Sequence, residues 1–412
     1  MDGIRKRQRI LYITYDGLTD PLGQSQILPY LCGLADNGYA ITIVSFEKRD
    51  RYRRESAIVQ GIVNKAAITW EPLFFTAKPP VLAKIYDRFR MRQKVVRLYK
   101  TEQYHLIHCR SYVPAEMGLF LKQKFGTKFL FDMRGFWADE KVDNGQWDLK
   151  KVLYRNIYRH YKKQEKAFLL QADGVISLTH AAKDYLLAQP PYKELAINVI
   201  PCCADLKHFD YNNIDSSKVE TLRQQLKIEA DAKVMVYLGS IGGWYMTKEM
   251  FLFFKILHDR HPEFLMLVLT KDDVTIVKKQ ASEAGVPAEK VRVSYAARKE
   301  LPHYLALCSH SIFFIRNTFS KTASSPTKHA ELMGMGIPVI CNTIGDTGNI
   351  IKATNTGMLV DAFDKPGLES RIAEVLALKQ ISKAHIRKSA LELFDLESGI
   401  QKYREVYKRL LS

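Results

Sequence analysis

The chain has 412 residues, too many for one ordinary core and suited to two domains of about 200 residues each. Hydrophobic residues at 47% and charged residues at 26% exclude a disordered chain, and no run approaches the ~18 apolar residues of a membrane-spanning helix. A net charge of +18 implies an anionic partner (phosphate ligand, nucleic acid or acidic lipid) without choosing among them.

Arg5, Lys6, Arg7 and Arg9 precede the apolar run Ile10–Ile13. That run is too short for a secretory h-region and opens a first predicted strand, Ile10–Tyr15. Gly17–Gly23 is rich in turn residues, and Gln26–Asn37 has helical spacing ended by Gly38. Ala40–Phe46, His105–Cys109, Lys128–Phe131 and Gly174–Leu178 read as further strands, each followed by a loop and a helical pattern. That alternation is the βαβ rhythm of a parallel sheet. The rhythm pauses after Ile197–Ile200 in a polar stretch, 204–232, where the domain junction is expected. It restarts at Val234–Leu238, with Gly239 at the strand end, and continues through Phe264–Leu269, Val291–Ser294, Ser311–Ile315 and Pro338–Asn342. The fold class is α/β: two facing Rossmann-like domains, residues 1–203 and 204–395, with ligands at the carboxyl ends of the strands and an interdomain cleft as the site. Leu396–Leu411 is helical, with Ile400, Tyr403, Val406, Tyr407 and Leu410 on one stripe.

Several residues fall at predicted strand ends. His108 and Arg110 close one strand, and Asp132, Arg134, Trp137, Asp139 and Glu140 form a polar and aromatic loop after the next. A carboxylate there, Asp132 or Asp139, has the chemistry to take the proton of an acceptor hydroxyl, although such a loop also serves as a salt-bridged surface. Two segments are strongly basic: Lys84–Lys100, with Arg88, Arg90, Arg92, Lys94 and Arg97, and Lys150–Lys166, with Arg155, Arg159, Lys162 and Lys163. Their repetition within one half favours a surface for anionic lipid or a polyanionic acceptor over a plain solvated face. Nucleic acid is not expected, because no nucleic-acid motif accompanies them. The six cysteines match no zinc spacing, and vicinal Cys202 and Cys203 suit no normal disulfide, so free thiols are expected. The Gly17 loop is not GxGxxG, which argues against a dinucleotide there.

The stretch from Phe319 to Ile340 is the most informative. Ser324, Ser325 and Thr327 make a hydroxyl-rich loop opening a helix, with Ser325 as the expected N-cap and Pro326 as the first helical residue. First-turn N–H groups at the positive dipole end suit a phosphate. Lys328 and Glu331 share a face, placing a cation by the phosphates and a carboxylate by a ribose. From the residues alone an ordinary capped helix with a solvated Lys–Glu pair fits equally well.

Glu331, the small-residue helix after it and Gly336-Ile337-Pro338-Val339 resemble the donor-site signature of the family 4 glycosyltransferases, which have the GT-B fold. Ile200-Pro201-Cys202-Cys203-Ala204-Asp205 with Phe209 is similar to the family's interdomain linker, and Tyr237-Leu238-Gly239-Ser240 to its first donor-domain strand and turn. Gly17, Gly23 and Gln24 fall at the family's N-terminal glycine loop. The resemblance implies a retaining, metal-independent transferase of the hexosyltransferase type with no cofactor beyond its nucleotide-sugar substrate. It also implies that helix 396–412 packs back on the N-terminal domain. Donor contacts would come from Gly239, Ser240, Arg316, Ser324, Ser325, Thr327, Lys328 and Glu331. Acceptor or sugar contacts would come from Gly17, Gly23, Gln24, His108 and Arg110.

Three departures stand out. The first glutamate of the family's pair is Ala323; the turn's Arg and Lys are Ser240 and Tyr245; and Arg134 stands at a His position. The countercharge for the leaving diphosphate then falls to Arg316, Lys321 or Lys328. The expected acceptor is a saccharide, polyprenyl-diphosphate-linked, at the cytoplasmic face of the inner membrane. An epimerase of the same fold and an inactive nucleotide-binding or scaffold relative are the competing readings.

Overall fold

The computed structural model describes residues 7–412, so Arg5 and Lys6 of the basic cluster lie outside the described residues. Two compact units form: one runs to Pro201 and regains the chain at Leu396–Ser412, and the other is Cys202–Asp395. The division falls two residues before the expected 203/204 boundary, so both vicinal cysteines belong to the second unit.

The first unit is built on seven strands: β1 (Gln8–Thr14), β2 (Tyr39–Glu47), β3 (Thr69–Phe74), β4 (Leu106–Arg110), β5 (Lys128–Asp132), β6 (Gly174–Ser177) and β7 (Ile197–Val199). They pair in parallel in the order β3-β2-β1-β4-β5-β6-β7. Every residue of β4 and β6 is buried, as helices on both faces of a parallel sheet require. β3 is absent from the sequence reading because Glu71 and Pro72 break its apolar run. It is an edge strand, where a missing N–H costs no ladder bond. The single helix expected over 26–37 is two helices, Pro21–Gln26 and Leu28–Asp36, because Pro29 cannot donate back across Ile27. Helix Leu396–Leu411 buries Ile400, Tyr403, Val406, Tyr407 and Leu410 in this unit. It crosses Leu28–Asp36 at Gly33, where a Cβ would come within 2.3 Å of Ile400 Cδ1.

The second unit has six parallel strands: β8 (Lys233–Leu238), β9 (Phe264–Leu269), β10 (Val291–Ser294), β11 (His310–Phe313), β12 (Val339–Cys341) and β13 (Gly357–Leu359). Their order is β10-β9-β8-β11-β12-β13. Only β13, a three-residue edge strand, lacks a sequence counterpart. In both sheets strand order reverses beside the first strand, between β1 and β4 and between β8 and β11. The carboxyl ends of those strands are where an open α/β sheet opens a ligand crevice.

Candidate functional site

At the β8/β11 reversal, β8 ends in Gly239, whose φ of +140° favours glycine. The loop after it is clipped to the end of β11: Met246 N–H donates to Phe314 O (3.0 Å) and Arg316 N–H to Trp244 O (2.8 Å). Buried Asn342 bonds both Ile315 N–H and Ile315 O at 2.8 Å, extending the sheet there. Asp272 Oδ2 accepts from Ile241 N–H, and Asp273 caps helix Val274–Glu283. Both carboxylates are thereby engaged in local structure.

Helix Thr327–Gly334 points its N-terminus at this crevice. Its N-cap is Pro326 rather than Ser325, so Thr327 is the first helical residue. Ser325 Oγ instead accepts from Cys202 N–H (3.1 Å), and Ser324 N–H donates to Lys321 O (2.9 Å). The helix ends in a Schellman motif: Ile337 N–H donates to Leu332 O and Gly336 N–H, at φ +67°, to Met333 O. That motif is the physical content of Gly336-Ile337-Pro338. Arg387 locks the same end, donating to Phe209 O, Gly334 O, Leu206 O and Asp210 Oδ2.

Lys328, in the first turn, is 7% exposed, and its Nζ has no hydrogen-bond partner among the described residues. The amine lies 3.5 Å from the centroid of the Tyr245 ring and 4.6 Å from that of Tyr237. A Cβ on Gly239 would come 2.5 Å from it, so glycine also makes room for the amine. Burial pulls the Lys328 pKa down to about 7, opposed by the field of Glu331. Glu331 does not form the solvated pair with Lys328 that the sequence allowed: it is buried and bridged to Arg298 (3.0 Å). Its pKa is raised by burial and drawn back by Arg298. Lys321, also buried, sets its Nζ 3.8 Å from the Trp244 ring centroid, while Arg316 is exposed. Ser240 is exposed, and its carbonyl accepts from the Tyr237 hydroxyl. Ala323 is buried in the short turn Phe319–Ala323. Arg298, Trp244 and Arg387 escape the sequence reading because each stands outside any motif.

In the first unit, Gly17 and Gly23 fold the loop after β1 tightly: a Cβ on Gly23 would meet Gly17 O at 2.1 Å. The organiser, missed from sequence, is buried Glu47 at the end of β2. It accepts from Leu18 N–H (2.8 Å), Thr19 N–H (3.1 Å), the Thr19 hydroxyl and the Ser45 hydroxyl. Gln24 is half-buried in helix Pro21–Gln26. Arg110 is buried, with Nε donating to Asp16 Oδ2 (3.2 Å). Arg134 adopts φ +59° and sets a guanidinium nitrogen 3.8 Å from Asp132 Oδ1.

Asp132 and His108 are turned to helix Leu396–Leu411. The Tyr403 hydroxyl donates to Asp132 Oδ2 (2.9 Å), and His108 Nδ1 meets the Tyr407 hydroxyl at 2.7 Å. Burial alone would raise the Asp132 pKa, but Arg134, His108 and Arg110 reverse this and hold it at about 2. A carboxyl that acidic is a weak base near neutrality. Asp139 is likewise occupied, accepting from Tyr158 (2.7 Å) and Lys162 (2.9 Å). His108 is held neutral by burial, against the pull of Asp132.

With this geometry in hand, similarities to known proteins are informative. Residues 30–208 match the family model for Glycosyltransferase Family 4, and residues 218–392 match that for Glycosyl transferases group 1. A glycosyltransferase from Rickettsia africae ESF-5 is similar in structure, with TM-score 0.71 and 16% identity over 99% of both chains. HepE of Anabaena, solved in complex with UDP and glucose, gives 0.70 and 16% over 98% of this chain and 100% of its own. Sucrose-phosphate synthase from Thermosynechococcus elongatus gives 0.70 and 17% over 98% and 99%. At such identities these likenesses establish the fold. No curated protein sequence matches the chain.

Proposed function

The chain belongs to the GT-B glycosyltransferases that join a family 4 domain to a group 1 domain, and from that premise we propose that it moves a sugar from a nucleotide-sugar donor to a lipid-linked saccharide. In this reading transfer retains anomeric configuration, needs no metal and serves cell-surface glycan synthesis at the cytoplasmic face of a membrane. Lys328 carries the reading. A buried amine with no hydrogen-bonding partner, in the first turn of a helix at the sheet's reversal, is costly unless an anion visits it. A nucleoside diphosphate fits that need, and its countercharge then comes from Lys328 and Lys321 rather than from a bound cation. Retention rests on the family resemblance alone.

The acceptor side of the proposal rests on helix Pro80–Glu102. Leu82, Ile85, Tyr86 and Phe89 stand on one face, each more than half exposed, and exposed Lys84, Arg92, Arg97 and Lys100 flank them. Not all of the segment's charge is available, since Arg88 pairs with Glu116 and Lys94 with Glu71. Val152 and Leu153 are exposed at the start of the second basic helix, Val152–Gln171. Among the described residues no helix is long and apolar enough to cross a membrane. An apolar stripe within a cationic field suits the surface of an anionic bilayer, where a polyprenyl-linked acceptor is presented.

The test is a thermal-shift panel of uridine, guanosine and adenosine diphosphates and their sugar derivatives, followed by assay of nucleotide release with vesicle-borne acceptor. One nucleotide should raise the melting temperature by mass action, and that nucleotide should be released from its sugar derivative only with acceptor present. Stabilisation by none of them would defeat the donor assignment; conversion of the donor sugar without acceptor would identify an epimerase.

A further inference from the structure

The groups facing Lys328 can be taken in turn. From β8 comes the Tyr237 ring, and from the loop after β8 come Gly239 backbone and the Tyr245 ring. From β11 comes Phe313, 6.0 Å away. From its own helix comes Glu331, whose charge is largely spent on Arg298. Burial pushes the Tyr245 hydroxyl up to about 12 and Tyr237 higher still, so both rings stay neutral wherever the protein is studied. His329, the next residue, is held neutral by burial. The amine therefore sits among aromatic faces with one shared carboxylate as its electrostatic support. Ring faces attract a cation, but more weakly than water solvates it, so burial prevails.

We infer that binding of a diphosphate in this crevice is coupled to protonation of Lys328, so that the ligand and a proton are taken up together. The inference rests on the donor-site reading and adds to it a state of charge. In the empty site the amine is largely unprotonated at mildly alkaline pH, which spares the protein an unsolvated cation. A diphosphate beside it restores the partner that burial removed, and the ammonium becomes the favoured form. The proton comes from solvent and leaves with the nucleotide. Such a site binds the nucleotide more weakly as pH rises, although the ligand gains charge through its own last ionisation near pH 6. The two effects have opposite signs and separate above that ionisation.

The experiment is calorimetric titration of the full chain with uridine, guanosine and adenosine diphosphates between pH 7.5 and 9.5, each in two buffers of different ionisation enthalpy. The expected result is uptake of a fraction of a proton at pH 7.5, rising toward one by pH 9, with affinity falling by up to tenfold per pH unit. Lys328→Arg, which keeps its charge throughout this range, should remove both the uptake and the pH slope while still binding. Lys328→Met should bind about tenfold more weakly, without either signature. Tight wild-type binding with no proton uptake overturns the inference and leaves the donor site standing. No binding of any nucleotide at any pH overturns both. The wild-type measurement decides even if neither variant folds.

Discussion

The family resemblance would place cations at 240 and 245, where this chain has a serine and a tyrosine. The loop after β8 has lost its cation, and the cation reappears on the helix opposite, seated on the replacement ring. Lys321 on Trp244 repeats the arrangement one step along. An interaction that strengthens as the leaving diphosphate gains charge lowers the barrier more than it tightens binding. Lys328→Met should therefore cut single-turnover transfer by roughly 10²–10³-fold, well beyond its effect on donor affinity. Lys321→Met reports whether the second amine shares the task. Near-normal rates in both variants would put the countercharge elsewhere. Asp132 answers to pH instead. Its folded value of about 2 lies below the ordinary 3.8, so its charged form is favoured by folding. That contribution, about 2 kcal/mol, is complete above pH 5 and lost as pH falls from about 4 toward 2. Acid titration of stability should show this loss in the wild type and not in Asp132→Asn; equal acid sensitivity would refute it. The sequence marked Asp132 as a site residue because an aspartate at a strand's carboxyl end looks the same whether it meets a ligand or a tyrosine 271 positions later.

Elements were far more legible than contacts. Ten strands could be read from apolar runs because both faces of each parallel sheet are covered and the runs are continuous. The three missed, β3, β7 and β13, are edge strands. Helix Thr327–Gly334 was placed within one residue, and the error lay in which of Ser325 and Pro326 caps it. What the pattern could not supply was the far partner: Arg298 for Glu331, Glu47 for the Gly17 loop, Arg387 for the end of helix Thr327–Gly334. Each comes from a distant element and carries no local signature. The helix Pro80–Glu102 shows the converse, since its basic run was plain in the sequence and its exposed apolar stripe was not, every helix of a globular protein having one apolar face. If that stripe enters a bilayer, Ile85→Asp with Phe89→Asp should reduce co-sedimentation with anionic vesicles at least tenfold while leaving nucleotide binding unchanged. Binding to anionic vesicles should also weaken with salt as exposed cations are screened. Equal sedimentation of variant and wild type would remove the stripe from the membrane reading.

At the scale of the whole molecule, the chain leaves its first unit at Pro201 and returns at Leu396, so the second unit is an insertion within the first. Its two ends meet: Ala204 N–H donates to Phe394 O at 2.9 Å. Removing residues 396–412 would strip Tyr403 from Asp132 and Tyr407 from His108 and uncover the face of Leu28–Asp36. The first unit should then melt roughly 10 °C or more lower, since each kcal/mol is worth about 2–4 °C in a domain of this size. The second unit's transition, followed by nucleotide stabilisation, should stay put, and a shift of both together would show that the units unfold as one. The same layout imposes an order on birth. A ribosome delivers the whole first sheet, then about 190 residues of the second unit, and only then the helix that seals the first. At about 5–20 residues per second the earlier-made half waits roughly 10–40 s for its closing piece. The later-made half has everything it needs before the earlier one does, so the nascent chain is expected to hold a finished second unit beside an unfinished first, and a chaperone that attends it should favour the first.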